Sequence, residues 1–440
     1  MTLTGHPHGT GLTLELSADT RWIPVVQGLI ENGAPILGLD AGKTLRLSMS
    51  AEELVAHLAG SAPGSRMTLI LARRQAMVSA DFVFETGTDG LWAMNLTAAK
   101  EITQDQGMDH MGLLLASRMT DSFAIALTGR QVTITLNQSV AYPEIKPALP
   151  VDAPLRGSLS VTRNPQPAEV TLACSLALGA YPGTRVPGFF RTPGAIIDQM
   201  AAGVLHMAIL TDGAGTQAGM ISWEMASPQS IGFYGPFVFG TRAGEAGAAR
   251  ILTDQMISGV ARTSALIVYS ILATPDLPAG DFERLACLDF KRQDQPPGTL
   301  WFRHLREDMG RNVWAHPAMS GFLKETYDRL FLMRTIHETQ NLGQNRPHRS
   351  LLAAQLDTGL RQAMLTPMLD GSDIRENISR HVSLLKAEGF LTILFTLDLA
   401  SGWQAAMGGA LMENGFIPAY VLPYAGDSDK AVFHHVDTDA

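Results

Sequence analysis

Apolar residues alternate at Leu12, Leu14 and Leu16, a period of two that predicts a strand. The spacing then lengthens through Trp22, Val25, Val26, Leu29 and Ile30, where three- and four-residue steps predict a helix with one apolar face. After a Gly-rich break a second helix is expected over roughly Ala41 to Leu58. Strands are expected at Met67 to Ala72, Met77 to Phe84 and Leu91 to Leu96, the last beyond a loop with Gly87 and Gly90. A helix near Met111 to Thr120 and a strand from about Arg130 to Gln138 close a segment whose order is that of an α/β sandwich, residues 1 to 140.

Pro143, Pro147, Pro150, Pro154, Pro165 and Pro167 then crowd a stretch that neither a helix interior nor a central strand tolerates, and an interdomain linker is placed at residues 141 to 157. A second domain, residues 158 to 344, opens with a strand near Ser158 to Thr162 and helices at Ala168 to Leu178 and Ile196 to Val204. Strands follow at Leu205 to Thr211, Ala218 to Ala226 and Ser230 to Phe239. A glycine-rich turn, Gly240 to Gly247, leads to a helix Ala248 to Arg262, a strand Ala265 to Ala273 and a helix Phe282 to Leu288. Residues 345 to 440 repeat part of that plan: strand Ser350 to Leu356, helix Ile374 to Glu388, strand Leu391 to Leu397, helix Gly402 to Asn414, strand Ile417 to Leu422. The steps Asp289-Phe290 and Gly415-Phe416 each end a predicted helix, which reads as a second, shortened copy of one half-fold. The fold class is α/β (α+β) in three parts.

Composition narrows the picture. The 440 residues exceed the ~250–300 at which one core stops growing, and 46% hydrophobic with 17% charged residues is the balance of a packed protein. The net charge of -9 with scattered Lys and Arg excludes a basic stripe, so no nucleic acid is expected. Two cysteines, Cys174 and Cys287, exclude a Cys-rich zinc site or a disulfide framework. The longest apolar run, Ser264 to Ala273, is half a bilayer span, and Met1 to Gly11 lacks the pattern of an export signal, so no membrane insertion and a cytoplasmic location are expected. His304, His316, His337 and His348 lack the spacing and acidic partner of a metalloprotease helix, and no metal is expected.

The helix run Ser50-Ala51-Glu52-Glu53-Leu54-Val55-Ala56-His57 sets Glu53 and His57 one turn apart on one face, and Glu85-Thr86-Gly87 and His110-Met111-Gly112 follow. With the element order, these residues resemble the GHKL ATPase superfamily, most of all the anti-sigma-factor serine kinases. The resemblance implies ATP as ligand, with Glu53 at the base position and His57 where the family holds magnesium with Asn. It sets Glu85 and Gly87 at the adenine-reading step and Gly112 at the second glycine of the phosphate cradle. Imidazole suits hard magnesium poorly, and a lost first glycine keeps phosphate farther from the backbone. Glu53 and His57 also read as plain solvent-face helix residues, and Glu85 as the start of a turn.

In the second domain, a strand, a turn with Gly240, Gly244 and Gly247, and a helix opening at Ala248 form a place where unpaired amides and the helix dipole favour an anion. Over about residues 158 to 336 this resembles the GNAT superfamily of acyl-CoA-dependent acyltransferases. The resemblance implies acetyl-CoA or another acyl-CoA along Phe237, Val238 and Phe239, with its pyrophosphate at Thr241, Arg242, Gly244, Ala246, Gly247 and Ala248. Glu245 in the same turn opposes a phosphate. The strand Ser230 to Phe239 has no acid, and Glu224 and Tyr234 are the nearest substitutes for the family's base and general acid. Glu224 also reads as a solvated strand residue and Tyr234 as a core aromatic.

Two ligand scaffolds, each short of side chains that transfer chemistry needs, point to a regulatory or assembly protein of acyltransferase ancestry with a protein partner. The alternative is an acetyl-CoA-dependent GNAT N-acyltransferase with Glu224 as a displaced base. Leu411, Phe416, Ile417, Tyr420 and Leu422 are expected to cover the last sheet's open edge.

Overall fold

In the computed structural model, which describes residues 11–85, 91–98, 116, 118–128, 131–150, 154–288, 298–340, 346–357 and 360–436, the first layer is an antiparallel sheet. Its strands are β1 (Gly11–Ser17), β2 (Arg66–Arg74), β3 (Met77–Phe84), β4 (Ser122–Thr128) and β5 (Gln131–Ser139), in the order β1-β2-β3-β5-β4. Helices α1 (Ile23–Ile36) and α2 (Ala41–Ser61) bury Val26, Ile30, Leu47, Leu54 and Leu58 against Leu69, Leu71, Phe82 and Ile134. Asp40 caps α2 by accepting the Lys43 amide at 2.8 Å. The strand expected at Leu91 to Leu96 is instead a single 3-10 turn, Leu91–Met94, because Leu91, Ala93 and Met94 are all buried and do not alternate. β4 escaped the pattern because it is an edge strand whose residues are mostly exposed. Most of the helix expected over Met111 to Thr120 lies outside the described residues.

The middle sheet runs β11-β12-β10-β9-β8-β7-β6. In chain order its elements are β6 (Ser160–Thr162), α3 (Pro167–Ala180), α4 (Pro193–Ala201), β7 (Leu205–Thr211), β8 (Gln217–Ser227), β9 (Ser230–Val238), α5 (Thr241–Glu245) and α6 (Ala248–Val260). β10 (Ile267–Ala273), β11 (Glu283–Leu288) and β12 (Gly298–His304) complete it. β9 and β10 are parallel with α6 as their crossover; the other neighbours are antiparallel. The helix expected at Phe282 to Leu288 is a correction: the segment is β11, and its partner β12 follows residues 289–297, outside the description like the Asp289-Phe290 step. Alternation on β7 sends Leu205, Met207 and Ile209 toward α3 and α4, and Ala208 and Leu210 toward α6.

The last part holds a parallel pair, β13 (Arg311–Ala315) and β14 (Arg334–Glu338), joined by α7 (Pro317–Arg329). Its sheet, β15 (Leu351–Asp357), β16 (Gln362–Leu369), β17 (Thr392–Asp398), β18 (Phe416–Leu422) and β19 (Lys430–His435), runs β15-β16-β17-β19-β18. α8 (Ile374–Ala387) crosses over between the parallel strands β16 and β17. Strand for strand, the order and directions are those of β8-β9-β10-β12-β11. The single helix expected at Gly402 to Asn414 is two, α9 (Gly402–Ala406) and α10 (Gly408–Glu413), broken where Gly408 and Gly409 lie against α7. A Cβ there would come within 2.9 Å of the Met319 sulfur and 2.7 Å of the His316 ring. Leu411, Phe416 and Tyr420 are buried, whereas Ile417 is 50% exposed, since it points away from the core on an edge strand.

One face of the middle sheet is divided between two covers. Helices α3 and α4 lie over β7 to β9, while Ile267, Tyr269, Leu285, Leu300 and Phe302 of β10 to β12 share a core with the last sheet and α7. A buried ion cluster fastens that junction. The side chain of Arg334 on β14 is fully buried and donates through Nη1 to Asp308 at 2.6 Å and through Nε and Nη2 to Asp429 at 2.6 and 3.2 Å. Its guanidinium stacks 4.7 Å from the Tyr424 ring centroid; the Tyr424 hydroxyl donates to Asp308, its amide to Asp429, and its carbonyl accepts from Ser230 at the start of β9. The first layer is tied on by Asn95, which donates to the Ser350 carbonyl at 2.8 Å and accepts the Leu352 amide at 2.9 Å. Arg73 and Tyr142 both donate to Asp198 of α4.

Breaking the cluster leaves two carboxylates buried without their cation, so Arg334→Met should cost about 3–5 kcal/mol in denaturant unfolding. His381 on α8 is fully buried, and burial first, then Arg380 and Arg118, hold its pKa down to about 4, against the Asn377 carbonyl it contacts at 2.9 Å. Because the unfolded chain binds that proton more readily, stability should fall as pH drops from about 6.5 toward 4, and His381→Leu should flatten that part of the stability–pH curve.

Candidate functional site

Glu224 on β8 and Tyr234 on β9 come together across the antiparallel ladder, where Ser222 faces Tyr234 and Glu224 faces Gly232. The Tyr234 hydroxyl donates to Glu224 Oε1 at 2.9 Å. Burial, and then the Glu224 carboxylate, push the Tyr234 phenol well above the ordinary tyrosine range. Tyr269 on β10 is pushed up to about 12 by burial and the same carboxylate. The arrangement is a neutral phenol donor fixed by a carboxylate, chemistry suited to holding a polar group or passing a proton.

The parallel pairing of β9 with β10 ends at Gly235 and Ala273, so the backbone beyond faces the wedge in which the resemblance places an acyl-CoA arm. That edge is filled by the chain itself. The Val238 amide donates to the Tyr181 hydroxyl at 2.6 Å, and that hydroxyl donates to Asp276 Oδ2 at 2.6 Å. Thr274 donates through Oγ1 to the Pro236 carbonyl. Tyr181, just past the end of α3, stands edge-on to the buried Phe237 ring with centroids 5.4 Å apart. Burial and Asp276 drive its phenol far above the usual range, so it stays protonated.

The turn that follows is folded on itself rather than open. Thr241 and Arg242 begin the short helix α5; the amides of Gly244, Ala246 and Gly247 donate to the carbonyls of Gly240, Arg242 and Gly244 at 3.3, 3.1 and 3.0 Å. Gly247, at φ 75°, takes the left-handed conformation that lets Ala248 start α6. Glu245 sits 3.3 Å from Arg242 Nη1. Three amides of the turn are therefore taken by its own carbonyls, a carboxylate stands beside them, and the Val238 amide is paired with a side chain. Tyr181, Thr274 and Asp276 were invisible as a site in the sequence, since 95 positions separate Tyr181 from Asp276 and no spacing rule links them.

On α2, Glu53 and His57 are half-buried; burial and the adjacent Glu52 raise the Glu53 carboxyl. Glu52 accepts from Gln27 of α1 at 2.7 Å. Glu85 is exposed just after β3, and Gly87 and Gly112 lie outside the described residues. Among the described residues no group of three or more His, Cys, Asp and Glu is arranged to hold a metal, and no helix is long and apolar enough to cross a membrane.

No family model and no curated protein matches the chain. Solved structures similar to part of it include a GNAT-family protein of Desulfovibrio desulfuricans, at 13% identity over 34% of this chain and 99% of that one, with a TM-score of 0.28. Mutant forms of the spermidine/spermine N-acetyltransferase of Vibrio cholerae are similar at 10% identity, over 34% of this chain and 95% of that one, with a TM-score of 0.27. A GNAT family N-acetyltransferase of Escherichia coli, solved with CoA, is similar at 18% identity over 35% of this chain and 84% of that one, with a TM-score of 0.25. At such scores the likeness adds no weight to the strand order and side-chain geometry above.

Tyr181→Phe removes the only acceptor shown for the Val238 amide among the described residues while keeping the ring. It should therefore lower stability by about 1–3 kcal/mol in a thermal or denaturant melt, with Asp276→Asn costing less.

Proposed function

We propose that the chain is a regulatory or assembly protein of acyltransferase ancestry whose middle sheet retains the cofactor scaffold with its groove filled from within. The observation that carries this reading is the Tyr181 hydroxyl, which takes the Val238 amide and is itself held by Asp276. The parallel pair β9 and β10, the glycine turn and α6 support the ancestry; the self-paired turn and Glu245 support the loss of cofactor binding. A protein partner is supported by Met309, Phe331 and Met333, which are 83%, 76% and 59% exposed and stand on neighbouring loops above the Arg334 cluster. Apolar side chains grouped this way on a surface mark interaction sites. In the first layer, His57 and Glu85 at the family's Asn and Asp positions favour the same reading, a GHKL-like scaffold without ATP turnover.

The rival, an acetyl-CoA-dependent N-acyltransferase, draws on one observation, the Glu224–Tyr234 hydrogen bond. Calorimetry and a free-thiol assay separate the two. The full chain should bind acetyl-CoA no more tightly than millimolar and release no thiol with an amine panel, whereas Tyr181→Ala should gain measurable binding by freeing the Val238 amide. Micromolar binding by the unaltered chain, or amine-dependent thiol release abolished by Glu224→Gln, would establish the enzyme instead.

A further inference from the structure

Where α3 and α4 give way to the last sheet, the two covers of the middle sheet leave a seam, and in it lies a cavity of about 530 Å³, the size range of small-molecule sites. The two sheets and the turn between α3 and α4 all contribute to its wall. Ile271, Leu288, Leu300, Met364, Leu394 and Leu422 make most of that wall aliphatic, and Tyr234, Tyr269 and Tyr420 bring phenols to it. The Tyr420 hydroxyl, on a residue only 8% exposed, has no hydrogen-bond partner among the described residues.

Charge in the lining itself is one-sided, with the Glu224 carboxylate standing behind the Tyr234 phenol that donates to it. Among the described residues Arg185 is the one charged residue of the lining, and no Asp or Glu lines the cavity. Arg185 is half-buried, and among the described residues its guanidinium makes neither a hydrogen bond nor an ion pair. Other half-buried arginines do find acids: Arg73 pairs with Asp198 and Arg380 with Asp373. A cation drawn partly out of water beside an aliphatic wall is stabilised when an anion joins it, and a guanidinium presents a planar fork that matches a carboxylate.

We propose that this cavity binds an amphipathic monocarboxylate, its carboxylate on Arg185 and its apolar body along the aliphatic wall between the two sheets. One cation matches one negative charge, which favours a carboxylate over a dianionic phosphate head. The volume accommodates a body of roughly eight to twelve carbons with room for the head group. The site goes beyond the regulatory reading and is independent of the Val238 edge: a chain that failed to bind acetyl-CoA would still bind here, and one that bound acetyl-CoA would not thereby bind here.

Calorimetry of the full chain with decanoate, decan-1-ol and decyl phosphate tests this. Decanoate should bind one per chain, with decanol and decyl phosphate each at least tenfold weaker. Arg185→Gln, on a surface turn, should weaken decanoate at least tenfold and leave decanol unchanged, and Arg185→Lys should restore part of the loss. Thr299→Trp should fill the cavity and abolish binding in a chain whose melting temperature shows it folded; should it fail to fold, the Arg185 variants decide alone. No decanoate binding at millimolar concentration, equal binding of decanol, tighter binding of decyl phosphate, or decanoate binding unaffected by Arg185→Gln would each overturn the proposal.

Discussion

The arrangement of the second and third parts rests on one buried cation. Arg334 comes from β14, Asp308 from the loop after β12 and Asp429 from the turn before β19, so a single guanidinium gathers segments from three separate places in the chain. Taking these charges out of water is expensive, and what offsets the expense is complete pairing: both nitrogen edges of Arg334 meet carboxylates, and the Tyr424 hydroxyl and amide and the Gly310 amide take further carboxylate lone pairs. Burial alone would raise the Asp308 carboxyl, but hydrogen bonds from Tyr424, Gly310 and Arg334 outweigh it and hold it below the usual range. Such a cluster tolerates one geometry, and so it fixes how the last sheet lies on β10 to β12.

That fixed docking gives the repeated strand plan its consequence. Five strands of the middle sheet and five of the last share order and direction, yet each copy finishes its surface differently. The middle copy has α3 and α4 over half of one face and borrows the other half of its cover from the last sheet. Two covers of different make do not meet flush. The cavity lies at their seam, lined by residues from both copies that no single sheet would bring together.

At the wedge of β9 and β10 the strand order and the polar pairing beyond it are set by different residues. Splayed parallel strands expose backbone groups that must be paired somewhere. Here Tyr181 pairs the Val238 amide and Thr274 the Pro236 carbonyl, and the turn beyond spends the amides of Gly244, Ala246 and Gly247 on its own carbonyls. The strand order depends on the apolar alternation of β7 to β10, which those polar contacts leave untouched.

Periodicity along the chain carries the α/β class, strongly patterned strands and helices such as β1, α2, β7 to β9 and α8, and the succession of a strand, glycine turn and helix at Gly240 to Ala248. Those are local properties, carried by residues within a turn or a pleat of one another. β4, β12 to β14, β16 and β19 escape it, and β11 reads as a helix, because each is defined by the strand it pairs with, which the apolar pattern along one segment does not record. The Glu224–Tyr234 pair was within reach, being two residues on adjacent strands of one hairpin. Tyr181 on Val238, Arg334 between Asp308 and Asp429, and Arg185 on the seam come into view once the chain is folded. Each joins positions far apart in the chain, and whether a polar side chain is paired, buried or left facing a cavity is set by what the fold brings opposite it.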